Sequence, residues 1–105
     1  MRKDSIMRYL GGLRGSGTVT CGDRSVAGVD YDFDGFLTGP GEVTANGEIR
    51  MPADAMREAF AQRDVLLQTD DGRKLKLRFS EKKLDPDCDA AHVDVTGDLP
   101  AQSDW

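Results

Sequence analysis

Three carboxylates at alternate positions, Asp30, Asp32 and Asp34, followed at once by Gly35, make the most specific chemical pattern in this sequence. Alternate oxygen donors ahead of a turn glycine are the first half of a calcium loop, where a hard cation needs them on one side. The second half departs from that pattern. The twelfth position, which should hold a bidentate acid, is Gly41, and Glu42 arrives one residue late. Pro40 stiffens the stretch, and the flanking residues alternate as a strand does. In a strand the three aspartates form an acidic outer stripe behind Tyr31 and Phe33. The expectation is that stripe, with calcium at Asp30, Asp32 and Asp34 as the alternative.

A second acidic run, Asp85, Asp87 and Asp89, surrounds Cys88 and precedes His92. Cysteine and histidine four apart could supply two ligands to a metal, with carboxylates completing the set. His92, however, alternates outward in a strand whose inward residues are Val93 and Val95. Covalent catalysis has little to work with. The chain has one histidine and two cysteines, and no Gly-x-Ser-x-Gly elbow. An enzyme would have to use paired carboxylates or His92 in a cleft. The glycines of residues 11–17 are followed by neither Gly-Lys-Ser/Thr nor a helix, so they do not make a phosphate loop.

A third pattern is Asp23-Arg-Ser25-Val-Ala-Gly28, of the form Asp-x-Ser-x-x-Gly. It is similar to the signature of PilZ domains, small β-barrels that bind cyclic di-GMP. The resemblance implies a surface site in which Asp23, Ser25 and Gly28 carry over. In that family an upstream Arg-x-x-x-Arg clamps phosphate and guanine, a task suited to planar guanidinium forks. Here the upstream arginines are Arg2, Arg8 and Arg14, each six apart, so that element is missing and Arg8 or Arg14 would have to serve.

The elements that must position these residues are mostly strands. Residues 64–80 read as two alternating runs joined at Asp71-Gly72, a dipeptide suited to a tight hairpin. Leu75, Leu77 and Phe79 face one way there, and Lys74, Lys76 and Arg78 the other. Residues 15–21 alternate, with Val19 and Cys21 inward, and residues 1–13 could be either strand or helix. A long strand over about 25–36 puts Ala27, Val29, Tyr31 and Phe33 on one face, and Gly28 suggests a bulge or a close backbone approach. Gly39-Pro40-Gly41 turns the chain, and residues 42–50 alternate cleanly. The single helix is expected over 52–62, with Pro52 at its first position, Asp54 favouring its N-terminus, and Met56 and Phe60 docking on the sheet. A last strand covers 92–97. The fold class is α+β, predominantly antiparallel β: about six strands as a small barrel or curled sheet with one capping helix.

At 105 residues the chain suits one domain, here 1–98, with 99–105 as a loose tail. A net charge of −5 argues against nucleic acid as a partner. The local exception is the run Arg73, Lys74, Lys76, Arg78, Lys82 and Lys83, a solvated strand face on which Lys74, Lys76 and Arg78 form a candidate interaction surface. Pairing of this basic stripe with the acidic stripe across neighbouring strands would help fix register, each pair contributing about 0.2–1 kcal/mol. Nothing approaches the ~20 apolar residues of a membrane span, and no apolar run follows the N-terminus as in a signal peptide. A cytoplasmic protein with reduced thiols is the expectation. Function is expected to be non-catalytic and cofactor-free: binding a protein partner, or self-association through an edge strand, with no nucleic acid and no membrane. A PilZ-like cyclic dinucleotide site, calcium binding, and a small enzyme are the alternatives.

Overall fold

The computed structural model describes residues 8–22, 24–39, 42–62, 64–85, 87–101 and 105. Among them, alternation of apolar and polar residues produces six strands: β1 (Arg8–Cys21), β2 (Arg24–Gly39), β3 (Glu42–Arg50), β4 (Val65–Thr69), β5 (Lys74–Phe79) and β6 (Ala90–Gly97). One helix, α1 (Ala53–Phe60), lies between β3 and β4. Each strand pairs antiparallel with its neighbours, and the sheet closes as a barrel in the order β1-β2-β3-β6-β5-β4. The mostly antiparallel α+β class expected from the sequence is the observed one.

Inward residues of all six strands fill the barrel. Val19, Phe33, Ile49, Leu67, Leu75, Val93 and Val95 are fully buried. The helix closes one end by burying Ala55, Met56 and Ala59. Pro52 is its N-cap rather than its first helical residue, a position where its missing N–H is equally harmless, and Asp54 Oδ1 accepts the Ala55 N–H at 2.9 Å. Phe60 ends the helix half-buried, edge-on to Phe79 with ring centroids 5.1 Å apart.

Several local expectations need correction. β1 begins at Arg8 and runs straight through Gly11 and Gly12, poor strand formers, because the long β2 supplies partners for both: Gly11 opposite Gly35 and Gly12 opposite Asp34. The bulge in β2 falls not at Gly28 but at Val26, the residue left over where Val19 opposes Ala27 and Thr20 opposes Ser25. The close approach occurs at other glycines. A methyl on Gly47 would run into the Asp32 carbonyl, and one on Gly17 into the carbonyl of Gln68. The β4–β5 turn is closed by the Gly72 N–H on the Thr69 carbonyl at 3.0 Å, and only Gly72 has positive φ, at 91°. It is thus a three-residue turn with its glycine in the bulge position, not a two-residue turn centred on Asp71-Gly72.

The C-terminal segment, expected to be loose, packs against the other end of the barrel. Leu99 and Trp105 rest on the core and Pro100 is buried. The indole lies over Gly35 and Gly11, and its Nε1 donates to the Pro100 carbonyl at 2.9 Å. Arg73 Nη1 ties the same segment down by donating to the Asp98 carbonyl at 3.1 Å.

The charged stripes are not neighbours. In the six-strand order β2 is second and β5 fifth, so they face outward on opposite sides of the barrel. Alternation in sequence determines which face a residue joins but says nothing of which strand comes next, and the expected cross-strand pairing fails for that reason.

Candidate functional site

Strict alternation in β5 puts Leu75 and Leu77 into the core and leaves Lys74, Lys76 and Arg78 outside, about 6.8 Å apart along the strand. Their cross-strand neighbours are Gln68 and Leu66 of β4, and Thr96 and Asp94 of β6, Asp94 facing Arg78, while Asp98 just past β6 donates its N–H to the Lys74 carbonyl at 3.1 Å. None of the three cations makes an ion pair within 4 Å among the described residues. Lys82 and Lys83, both exposed, extend the positive surface beyond the strand.

Beside this row lies a concavity. β4 begins at Val65, opposite Leu77, whereas β5 continues to Phe79 with a partner on the β6 side alone. The gap opens a furrow of about 660 Å³. Its floor is apolar, formed by Phe60, Val65, Leu77 and Phe79, and Lys76, Arg78, Asp94 and Thr96 rise beside it. Glu81 closes one end, where its Oε1 accepts the His92 backbone N–H at 3.0 Å and sits 3.8 Å from the imidazole Nδ1. A smaller hollow of about 210 Å³ adjoins it at Asp64, Leu66 and Lys76.

The acidic stripe is differently placed. Asp30, Asp32 and Asp34 are exposed along β2, and β1 supplies a partner for each. Ser16 Oγ donates to Asp30 at 2.7 Å, Arg14 Nε to Asp32 at 2.9 Å, and Tyr9 Oη to Asp34 at 3.2 Å. Burial and then the Asp34 charge push the Tyr9 phenol up from its ordinary pKa. On the β3 side Arg50 is held charged by its hydrogen bond to Glu48. Two shallow hollows, of about 250 and 330 Å³, meet at Asp30 and Arg50. The aspartates are strung out along an extended strand rather than wrapped around a point. Among the described residues no group of three or more His, Cys, Asp or Glu side chains converges as metal ligands do.

The residues singled out by the PilZ likeness are spread along the β1–β2 ribbon. Asp23 lies outside the described residues. Ser25 opposes Thr20, and Gly28 opposes Thr18 and borders the larger of those two hollows. Arg14 is four residues up β1 from Thr18, about 13 Å, and Arg8 ten residues, about 33 Å. Arg14 is bound to Asp32, and Arg50, the guanidinium that borders the hollow, to Glu48.

Cys21 and Cys88 are both free thiols. Burial, then the Glu58 charge, pushes the Cys21 thiol up against a smaller opposing effect of Arg24, which makes it a poor nucleophile. The Cys88 thiol donates to the Ala90 carbonyl at 2.6 Å, while His92 points outward to Glu81. Cysteine and histidine are thus each engaged away from the other.

Two features escaped sequence reasoning. The furrow arises because β4 has five residues and β5 six, offset so that Arg78 and Phe79 outrun their neighbour. The other is a polar cluster at the end of the barrel opposite the helix. Thr69, buried, hydrogen-bonds Asp71 and accepts the Arg73 N–H at 2.9 Å. Tyr31 stands close enough that burial, then Asp71 and Asp70, push its phenol up. The Asp-Asp-Gly turn was the available signal, but its contacts to Tyr31 depend on closure of the barrel. A complete edge strand, which self-association would use, is also missing among the described residues. What remain are partial edges, the longest along β1 over residues 8–15, where pairing with β4 begins only at Gly17. Comparison with known proteins returns no match: no protein-family model, no curated protein and no solved structure matches this chain.

Proposed function

We propose that this domain is a non-catalytic binding module and that the β5 face, with its furrow, is the surface that receives a protein partner. The observation that carries this reading is the contrast between the two charged stripes. The acidic stripe of β2 is tied residue by residue to Ser16, Arg14 and Tyr9. Among the described residues the cations of β5 have no ion pair within 4 Å, and two of them, Lys76 and Arg78, line a furrow whose aromatic floor is half exposed. Interfaces draw their affinity from such apolar pockets and their orientation from the charges around them. A cyclic dinucleotide fits the opposite face poorly, because the hollows there are rimmed by Asp30, Asp32 and Glu48, and Arg50 is already engaged.

No helix among the described residues is long and apolar enough to cross a membrane. The free thiols suit a reducing compartment, and we place the domain in the cytoplasm.

The test is selection of binders from a random peptide library on the folded domain, followed by mapping of each binder through amide chemical shifts. The expected result is a set of binders that perturb residues 74–79 and Phe60 and are lost in the triple variant Lys74→Glu, Lys76→Glu, Arg78→Glu. Binders that map to the β2 face, or that ignore the triple variant, would overturn it.

A further inference from the structure

We propose that the occupant of the β5 furrow is an extended acidic segment that packs one large apolar side chain against the exposed side of the Phe60–Phe79 pair, an inference that rests on the reading just given. Three observations lead to it. The cations repeat every second residue, about 6.8 Å apart, which is the spacing of same-face side chains in an extended chain lying alongside. Beyond Leu77 the β4 side of β5 has no strand, and the furrow there, bordered by Phe60 and Gln62, is where an extended segment can enter. The notch at that end is lined by Phe60 and Phe79, both only half-buried, so it offers an apolar side chain a seat.

Charge gives the segment its direction. Asp94 opposes Arg78 and Glu81 caps the far end, so the cation nearest the notch already faces acidic groups and the apolar floor there suits the anchor. Lys74 and Lys76 face Gln68, Leu66 and Thr96, with Asp98 beside Lys74 and Asp64 beside Lys76; among the described residues neither lysine is ion-paired within 4 Å, and theirs is the charge left for an acidic partner to neutralise. Acidic residues therefore sit over Lys74 and Lys76 with the anchor following toward Phe79. Nucleic acid is disfavoured by the same arrangement, since a phosphate chain running the length of the furrow would meet Asp94 and Glu81 in a chain of net charge −5.

The experiment uses the full chain and synthetic heptapeptides titrated by fluorescence anisotropy, with amide shifts locating each complex. The probe Thr-Glu-Thr-Glu-Thr-Phe-Thr is compared with versions carrying Gln for both Glu, or Ala for Phe, and with an oligothymidylate. The expected result is binding over β5 that weakens about tenfold with Gln and at least about fivefold with Ala. The preference for Glu over Gln should vanish in Lys74→Glu/Lys76→Glu, an exposed pair whose change leaves the core intact, and persist in Arg14→Glu on the opposite side. Equal binding of the Glu and Gln peptides over β5 would overturn the acidic occupant while sparing the β5 surface. Equal binding of the Phe and Ala peptides would overturn the anchor, and displacement of the acidic probe by oligothymidylate would overturn the class of partner. Peptides that shift only the β2 face would overturn both this inference and the reading beneath it.

Discussion

Substitution of Gly35 by alanine should destabilise the native chain and stabilise the chain that lacks Trp105. A Cβ at Gly35 would stand 2.5 Å from Cζ3 and 2.6 Å from Cζ2 of the indole, about 1 Å inside ordinary carbon contact. The ring must shift or leave. Overpacking of this kind costs about 1–3 kcal/mol. Because the clash is with the far end of one side chain, the cost cannot exceed the free energy with which Trp105 docks. An opposing effect acts on the backbone. Gly35 is not among the glycines with positive φ, so alanine fits its conformation and restricts the unfolded chain, a gain of about 0.4–1 kcal/mol. In the native background the clash outweighs this gain, for a net loss near 1–2 kcal/mol. At about 4–8 °C per kcal/mol, Tm falls by roughly 4–16 °C. In Trp105→Ala the clash is gone, the entropic gain remains, and Gly35→Ala raises Tm by roughly 2–8 °C.

Thermal unfolding of the four chains of this cycle, followed by circular dichroism, reads the sign directly. Trp105 is the chain's one tryptophan, so its emission reports the same event from the other side. It should shift to the red in Gly35→Ala as the indole moves toward water. A loss of the same size in both backgrounds would refute the reasoning, because the penalty would then belong to Gly35 and its strand rather than to the indole above it.

The Asp71 carboxyl is held below its ordinary pKa chiefly by the Thr69 hydroxyl, with burial opposing and Arg73 assisting. A depressed folded value adds stability that is present above the unfolded pKa of about 3.9 and is lost as pH falls through the folded value. Asp71→Asn should therefore lose less stability than the native chain between pH 5 and pH 2, and parallel acid limbs in urea titrations would contradict this. Cys21, its thiol pushed up by burial, should react with iodoacetamide at pH 8 much more slowly in the folded domain than in urea. Equal rates in the two conditions, with the site read by mass spectrometry, would show that the thiol is not shielded.

What could be read from the sequence was set by how local its cause is. Val43, Ala45 and Ile49 against Glu42, Thr44 and Asn46 follow the two-residue period of one strand, and β3 keeps it at Ala45 and Ile49, both buried, and at Glu42 and Asn46, both exposed. Met56 and Ala59 mark the helix face in the same way, although the third buried residue is Ala55 rather than Ala53. The faces of Asp30 and Lys76 were equally legible. Their distance from one another was not, because neighbour order is decided by β6, which inserts between β3 and β5 from the end of the chain. Trp105 fails for the same reason. Nothing near it in sequence announces Gly35, and only the flat patch made by Gly11 opposite Gly35 gives the indole a seat. The furrow is the extreme case, since it is the offset between two strands, and no residue by itself encodes an offset.

Barrel closure also bears on why β5 is cationic at all. Charged residues on a strand often serve to keep a free edge from pairing with other molecules. Over residues 75–77 that purpose is absent, since β4 and β6 cover both sides of β5. Nor do the cations stabilise the sheet by close pairing, for among the described residues none of them has an ion pair within 4 Å, Asp94 opposite Arg78 and Asp98 beside Lys74 included. Like charges two residues apart repel weakly, so the row is a small net cost to folding. The β2 stripe shows how the same cost is offset elsewhere, with Arg14 against Asp32 and Ser16 against Asp30. Each of those exposed ties contributes only about 0.2–1 kcal/mol, but together they hold the side chains of that face in place. A local rule broken on one face and kept on the other is what a surface kept for binding produces. The field then acts at a distance as well. On the binding reading proposed above, an acidic partner approaching a chain of net charge −5 would be repelled from the β2 and β3 side and drawn to β5, and the charge separation that closure enforces would orient the encounter before any contact forms.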